Sequence, residues 1–385
     1  MSWLTLLRYE LKAIFSHKPL LLTVFGGVLL YSFLYPLPYS NQLPRQQEIV
    51  MVNLDDSQLS RQIERMIEAT PQVTITEHRY SIAAGKQLVI DNKVHGIVVI
   101  PPHFYRDLLL SQTPTIAYGG DAAYFLVYGT IVEGVAKASG TLGAQAKVSR
   151  MLMSGEPINL ASKQFTPFKL NMVPVFNPTM GYIHYVVPAV FVFILHQTLL
   201  IATAMLGGEQ NQAQRKGIEG YWLTASPLKL MLSRASILMA IYLLLTMFYF
   251  GFSFSYYQIN QLADMAEVLM FIIPLLLSVI FFGMTIGQLI PRPELATVIG
   301  IVMSLPLIFS IGFIWPTSSI PTLINVIANF IPATPAINGL LRINQMGASF
   351  DQVVSLCIQL WGLVFIYAAT SYLLITQSQK RAAAK

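Results

Sequence analysis

The sequence predicts an α-helical polytopic membrane protein with six transmembrane helices, a re-entrant helix and an inserted α/β extracytoplasmic domain. Three observations favour this fold class. The 385-residue chain is 54% hydrophobic and only 11% charged, less than half of the usual charged fraction of ~25%. Apolar segments of about 20 residues, long enough to cross a bilayer, recur along the chain. After the first of them comes a segment of ordinary soluble composition, from Arg45 to Lys169.

Residues 1–18 are predicted to form an amphipathic elbow helix that lies in the membrane interface. Apolar residues recur there at spacings of three and four, with charged residues between them: Leu4, Leu7, Leu11, Ile14 and Phe15, against Arg8, Glu10 and Lys12. Residues 19–37 carry no charge and predict the first transmembrane helix. A cleaved signal peptide is the alternative, but the apolar run exceeds a signal core and no small-x-small cleavage site follows it.

Residues 38–178 are predicted to form the extracytoplasmic α/β domain. Strand-like runs alternate there with helix-like segments, the last of which covers 122–150: the strand-like runs are 49–54, 73–76, 94–100 and 115–118. Such alternation is typical of a small α/β domain with some parallel pairing. The histidines of this domain lack metal-ligand spacing. The single cysteine of the whole chain, Cys357, excludes both a disulfide framework and a cysteine metal site, so we expect no metal site.

Residues 179–385 are predicted to carry five further transmembrane helices, at 182–206, 235–257, 268–290, 295–315 and 353–377. No Asp, Glu, Lys or Arg occurs from Leu295 to Leu341, a stretch too long for one span. Proline-containing breaks interrupt it near its middle and again near its end. Broken backbone at this depth survives only where protein or a water-filled cavity satisfies its polar groups, so we predict a re-entrant helix at 319–341.

The distribution of lysine and arginine predicts that both termini are cytoplasmic. Basic residues flank the first span and occur in the 207–234 loop, in the 291–294 turn and in the tail, at Lys380, Arg381 and Lys385. The 258–267 loop holds acids and no base. All the basic clusters fall on one side of the membrane only if there are six spans.

Two features have a structural and a functional interpretation. The 207–234 loop is either a polar connector or a surface that docks a soluble partner. His196, Gln197 and Gln288 are polar residues in apolar spans, which either form interhelical hydrogen bonds or contact a substrate. The net charge of +6 is modest and there is no basic stripe interleaved with aromatic residues, so we expect no nucleic-acid partner.

Several motifs along the chain together resemble the membrane permease subunits of ABC-2 type exporters, in the branch with a large periplasmic domain after the first span. The order and spacing of these motifs carry the resemblance: Tyr9–Lys12 and Ser16–Pro19 in the elbow, Val52–Arg61 and Gly96–Leu108 in the soluble segment, Asn177–Pro178 and Val187–Pro188 before the second span, and Ser310–Pro316, Ile320–Pro321, Ile331–Pro335 and Leu341–Arg342 in the re-entrant region.

The resemblance implies a permease that exports a small or amphipathic substrate across the bacterial inner membrane and is not itself an enzyme. It implies no catalytic residue and no bound cofactor, because ATP and Mg²⁺ would lie on a separate ABC ATPase subunit. The sequence agrees, since it contains no Gly-x-x-x-x-Gly-Lys-Ser/Thr phosphate cradle. The implied partners are that ATPase, a second permease in a homodimer or heterodimer, a periplasmic adaptor (a membrane fusion protein), an outer-membrane channel and the lipid bilayer.

The resemblance also suggests functional residues. Those that would couple to the ATPase are Arg8 and Glu10 in the elbow and Glu209, Arg215, Lys216 and Gly217 in the loop. The family's loop usually carries Glu-Arg-Glu, whereas here Glu209 stands apart from Arg215. Gate residues of the re-entrant region would be Gly312, Pro316, Pro321, Pro332 and Pro335, and the substrate-path candidates are His196, Gln197 and Gln288.

Two other classes of protein remain as alternatives. A secondary transporter or channel should show intramembrane carboxylates or repeat symmetry, and the predicted spans hold no acidic residue. A membrane-anchored sensor would bind a ligand with the soluble segment, but it would not need five further spans and a broken helix.

Overall fold

The chain folds as two compact units, one formed by Met1–Gln42 with Pro174–Lys385 and the other by Leu43–Val173. The computed structural model describes residues 2–39, 44–155, 157, 175–177 and 181–383. The predicted domain boundary at Pro178 and the tail cation Lys385 lie outside the described residues. We call the first unit the membrane unit and the second the inserted unit.

The membrane unit begins with helices α1 (Trp3–Ser16) and α2 (Lys18–Tyr39). The side chain of Ser2 caps α1 by accepting a hydrogen bond from the Thr5 amide at 3.2 Å. His17 ends α1 and caps α2, since its Nδ1 accepts from the Leu20 amide at 3.1 Å. With Pro19 in the first turn, this is a favourable helix start. The elbow and the first span are therefore separate helices that join at His17.

The inserted unit contains a four-stranded sheet with helices between its strands. Its elements are β1 (Gln47–Asn53), α3 (Gln58–Glu68), β2 (Val73–Arg79), α4 (Ile82–Ile90), β3 (Gly96–Ile100), α5 (Phe104–Leu109), β4 (Ala117–Gly120) and α6 (Phe125–Met153). The strand order is β2-β1-β3-β4, with β1 parallel to both neighbours and β4 antiparallel to β3. The predicted alternation and parallel pairing are confirmed.

Successive residues of β1 point to opposite faces of the sheet, and both faces are covered by helices. Ile49 and Met51 pack in one core with residues of α3 and α6. Val50 and Val52 pack in a second core with Leu88 of α4. The continuous apolar run of β1, which predicted a buried strand, follows from this coverage of both faces.

The rest of the membrane unit is helical. Its elements are α7 (Val186–Arg215), α8 (Tyr221–Thr224), α9 (Pro227–Tyr256), α10 (Met265–Leu289), α11 (Glu294–Ser310), α12 (Thr322–Asn329), α13 (Ala333–Met346) and α14 (Phe350–Ala383). Five described helices, α2, α7, α9, α10 and α14, are long and apolar enough to cross a membrane. This confirms a multi-pass membrane protein.

The predicted span 295–315 is wrong at its C-terminal end. α11 ends at Ser310 after 17 residues, at the lower limit of about 17–25 for a membrane span. The chain leaves the helix at Gly312, which has φ +107°, a backbone conformation that strongly favours glycine. Because the sequence stays apolar on both sides of Gly312, its composition gives no signal for the end of the helix.

The α12–α13 pair, which we call the hairpin, is a sharply bent pair of helices in the region of the predicted re-entrant helix. The two helices are bent by 86°, and at 1.5 Å per residue they are only ~12 and ~21 Å long, so neither crosses the ~30 Å of hydrocarbon alone. The predicted range of 319–341 is too short at its C-terminal end, because α13 continues to Met346.

Side chains of α14 satisfy the backbone at the tip of this hairpin. Gln359 Nε2 donates to the Asn329 carbonyl at 2.9 Å, and the Tyr367 hydroxyl donates to the Phe330 carbonyl at 2.6 Å. Asn338 of α13 donates to the Ile311 carbonyl at 2.8 Å and ties the hairpin to the end of α11. Protein groups thus satisfy the broken backbone, as the hydrocarbon environment requires.

α7 is the central helix of the membrane unit and packs against α10 through small residues. A Cβ atom at Gly207 would lie 2.7 Å from the backbone of Gly287, and one at Gly283 would lie 2.8 Å from the side chain of Thr203. Gly283 and Gly287 are four residues apart and therefore share one helix face. Such small-residue faces let membrane helices approach closely.

We predict that Gly207→Ala destabilises the membrane unit by about 1–3 kcal/mol, because the added methyl group meets rigid backbone. Thermal unfolding of the detergent-purified protein measures this. Gly362→Ala is the matched control, since a Cβ there meets nothing within 4 Å. Equal melting temperatures for the two variants would contradict the close packing of α7 and α10.

We predict that Tyr367→Phe lowers stability by ~0.6 kcal/mol, and by up to ~1.7 kcal/mol, because it removes one interhelical hydrogen bond inside the membrane. Tyr372→Phe is the control on the same helix, since the Tyr372 hydroxyl has no hydrogen-bond partner among the described residues. Protease accessibility of the hairpin should increase only in Tyr367→Phe, and an increase in both variants would argue against the assigned contact.

Candidate coupling site

The predicted coupling loop is more helical than its polar composition suggests. α7 continues beyond the predicted span end at 206 and ends at Arg215, where Gly217 adopts φ +74°. A left-handed glycine just after a helix is a common C-terminal stop. The short helix α8 follows, and Pro227 begins α9. The free loop is thus only the segment between α7 and α9.

A buried ion pair joins α1 to the start of α9. Arg234 Nε donates to Glu10 Oε2 at 2.8 Å, and Arg234 Nη2 donates to Glu10 Oε1 at 2.9 Å. The side chains of Arg234 and Glu10 are 1% and 0% exposed. This two-point geometry is the strongest arrangement available to an arginine and a carboxylate.

Tyr221 of α8 completes the cluster. Its hydroxyl donates to Glu10 Oε1 at 2.8 Å, and its ring stacks on Tyr9 with 5.3 Å between centroids. Burial, and next the adjacent Glu10 carboxylate, raise the pKa of the Tyr221 phenol above its usual value, so the phenol stays a neutral donor at physiological pH. We call Glu10, Tyr221 and Arg234 the anchor cluster.

The anchor cluster corrects the sequence interpretation of the elbow. The sequence pattern places Glu10 on the charged side of an amphipathic helix, but it is fully buried with Leu6 and Ile14, while Leu4 and Phe15 are 69% and 49% exposed. The face that packs on protein therefore contains the acid, and the exposed apolar residues suit contact with lipid.

The sequence predicts only that the basic residues of the 207–234 loop, Arg234 among them, mark the cytoplasmic side, and the structure adds a structural role for Arg234. The available signal was an arginine within the mostly apolar helix that follows Pro227. A charge at such a position has to find a partner, because an isolated buried ion is too costly.

A second contact connects α7 to the elbow. Glu209 Oε2 lies 3.8 Å from His17 Nε2, and the Glu209 side chain is 48% exposed. Both residues line a cleft of about 210 Å³, together with Tyr221 and Trp222. Of the predicted coupling residues, the structure brings Glu209 and Glu10 to the elbow side of the loop, whereas Arg8 is exposed on α1.

The remaining coupling residues lie on the other side of the loop. Arg215 and Gly217 line a separate cleft of about 760 Å³, and the adjacent Lys216 is exposed. Gln288, a predicted substrate-path residue, lines this same cleft at the end of α10. The structure therefore divides the predicted coupling residues between two clefts.

His196 and Gln197 lie in the middle of α7. His196 is fully buried, and neither of its ring nitrogens has a hydrogen-bond partner among the described residues. Gln197 Nε2 donates to the Gly300 carbonyl of α11 at 2.7 Å, which matches the interpretation as an interhelical hydrogen bond. A role of His196, Gln197 or Gln288 in a substrate path stays a prediction.

The predicted gate residues lie in the connection between α11 and α12 and at the starts of α12 and α13. Gly312 and Pro316 line a cleft of about 310 Å³, and Pro321 and Pro332 directly precede α12 and α13. Pro335 lies in the first turn of α13. Within the described residues, no group of three or more His, Cys, Asp or Glu side chains is placed to hold a metal ion.

The helices and the hairpin define a multi-pass membrane protein, and comparison with known proteins identifies its class. The chain belongs to the ABC-2 family of transporter proteins, whose family model matches residues 18–373. It is also similar to the linearmycin resistance permease protein LnrN of Bacillus subtilis (strain 168), with 23% identity over 393 residues that cover 94% of this chain and 95% of that protein. The protein is therefore the membrane permease component of an ABC transporter, and the resemblance to the ABC-2 family is confirmed.

We predict that Arg234→Met destabilises the protein by about 3–5 kcal/mol, because it leaves the Glu10 carboxylate buried without its partner. Arg8→Met, an exposed change on the same elbow, should stay within about 0.5 kcal/mol of the parent. Denaturant unfolding in detergent measures both.

The double variant Glu10→Leu/Arg234→Met shows whether the stability lost in Arg234→Met comes from the unpaired Glu10 carboxylate or from lost side-chain packing. We expect it to recover most of the stability lost in Arg234→Met, since apolar replacement of both partners of a buried ion pair is often neutral. Additive losses in the double variant would contradict the direct pairing.

Proposed function

We propose that this permease works in an ATP-driven exporter and moves a small or amphipathic compound outward across the bacterial inner membrane. The observation that carries the proposal is the anchor cluster, which joins the elbow, the coupling loop and the start of a spanning helix through buried charge. Family membership supports it, and the similar Bacillus subtilis protein is named a resistance permease. An exporter of a toxic compound would confer resistance.

The energy would come from a separate ABC ATPase that binds ATP and Mg²⁺. Closure of two such ATPase subunits would push on the coupling loop and the elbow. Because Arg234 and Tyr221 both bind Glu10, this push would move α1, α8 and the start of α9 together as a rigid body. Displacement of α9 within each permease would then open the route between two permeases.

The proposed orientation places both termini and the coupling loop in the cytoplasm. It is supported by the basic residues Arg215, Lys216, Arg292 and Lys380, which fall on one side of the six-span map. The inserted unit would then lie outside the cytoplasm and could contact a periplasmic adaptor that leads to an outer-membrane channel.

The hairpin is the proposed outer gate of the route. Gly312, Pro316, Pro321, Pro332 and Pro335 punctuate it, and its tip is attached to α14 by only a few side-chain hydrogen bonds. Since six spans are few for a transport path, a second permease, identical or related, would complete the route.

Co-expression with a candidate ABC ATPase from the same genome tests the proposal. We expect the affinity-tagged permease to retain the ATPase in detergent and after reconstitution into liposomes, and to change its rate of ATP hydrolysis. Mutation of the phosphate-binding lysine of the ATPase is the control, because it should abolish hydrolysis and leave the complex intact. The exporter assignment would be wrong if the intact permease retained no ATPase and the preparation hydrolysed no ATP.

A further inference from the structure

We propose that the 760 Å³ cleft is a docking site for a charged segment of the ATPase, with the C-terminal helix α14 as its second wall. The inference rests on the proposed function and goes beyond it, because it assigns a role to α14 and states the chemistry of the docking segment. The coupling loop forms one wall, at Arg215, Ile218 and Glu219, and the last turns of α14 form the other.

The wall contributed by α14 is a single helix face. Leu374, Gln377, Ser378 and Arg381 line the cleft at spacings of three, one and three residues, which places them on one side of the helix. Lys380 precedes Arg381 but does not line the cleft. Of the two basic residues at the described end of α14, only Arg381 therefore faces the cleft and the coupling loop.

The floor of the cleft is held by hydrogen bonds that resist collapse. Asn211 Nδ2 donates to the carbonyls of Gly287 and Ile290, each at 2.9 Å, and so satisfies the end of α10. Gln379 Nε2 donates to the carbonyls of Trp222 and Ala225 at 2.7 and 2.9 Å, which ties α14 to the coupling loop. A preformed site of this kind loses little conformational entropy when a partner binds.

The charges of the cleft favour a protein segment over a lipid headgroup. Arg215 and Arg381 are exposed, and neither forms an ion pair with any residue that the structure describes. Glu219, on the same rim, carries the opposite charge and would repel a phosphate group. A peptide segment with a carboxylate toward the two arginines and a cation toward Glu219 would match this mixed pattern.

Apolar residues at the rim would supply the hydrophobic part of the contact. Ile218 and Leu289 line the cleft and are 54% and 67% exposed. Interfaces typically combine such apolar anchors with a polar rim. The cleft therefore offers both the charge pattern and the apolar contacts that a docking helix turn or loop requires.

Charge reversal in the cleft tests the inference. In the co-expressed complex, we expect Arg215→Glu/Arg381→Glu to raise the dissociation constant for the ATPase by roughly tenfold or more and to alter its salt dependence, because two attractions become repulsions. Lys380→Glu is the control for the α14 substitution, because it makes the same change of charge as Arg381→Glu one residue away, and it should shift the constant by less than about twofold. Microscale thermophoresis of detergent-purified permease with labelled ATPase gives these constants.

The single variant Arg381→Gln isolates the contribution of α14. We expect it to weaken ATPase binding measurably while the melting temperature of the permease stays unchanged, since Arg381 is exposed. If Arg381→Glu and Lys380→Glu weaken ATPase binding equally, α14 attracts the ATPase only through its overall positive charge. That result would overturn the inference.

Two further outcomes separate this inference from the proposed function. If wild-type permease binds the ATPase and the double variant binds it equally well, the cleft is not the docking site but the exporter assignment stands. If ATPase binding is unchanged while co-purified phosphatidylglycerol falls in the double variant alone, the cleft is a lipid site and the inference is wrong. If wild-type permease binds no ATPase at all, the proposed function itself fails.

Discussion

The membrane unit depends on one constraint, that backbone polar groups removed from water must find a partner inside the protein. Regular helices satisfy this internally, but helix ends and breaks do not. At those points the chain supplies amide and hydroxyl side chains from neighbouring helices: Asn211 at the end of α10, and Gln359 and Tyr367 at the hairpin tip. The polar residues of the spans that form these bonds act as connections between helices, and they allow a broken helix to exist at this depth.

The same constraint applies more severely to charge, and it explains how the coupling loop is held. Arg234 and Glu10 are both removed from solvent, so each is tolerated only because the other is present. Tyr221 adds a neutral donor to the same carboxylate, which brings the loop into the arrangement. The cost of separating these groups makes the elbow, α8 and the start of α9 one mechanical element, although they are distant in sequence.

Much of the fold could be predicted because the deciding signals are local. The alternation of strand-like and helix-like segments around β1 and β3 predicts the sheet, and the charge-free runs predict which segments can cross a membrane. Two features could not be predicted in this way. The pairing of Glu10 with Arg234 connects residues that are 224 positions apart, and apolar periodicity carries no information about such partners. The end of α11 depends on the left-handed backbone at Gly312 within a uniformly apolar stretch, where composition cannot locate the break. The contact between Gly207 and Gly287 is likewise visible only once both helices are placed.

A loop that transmits a push must be rigid toward the membrane and open toward the partner. The coupling loop has both properties, on different sides. Toward the elbow, the buried hydrogen bonds of the anchor cluster hold the loop against α1, and a small cleft lies beside Glu209. Toward α14, Gln379 fixes the loop by two backbone carbonyls, yet a wide cleft stays open above that attachment. If the loop were loose on both sides, the work of the ATPase would bend the loop itself. Because it is fixed at Tyr221 and at Ala225, the load proposed to act at Ile218 would pass to α1, α9 and α14.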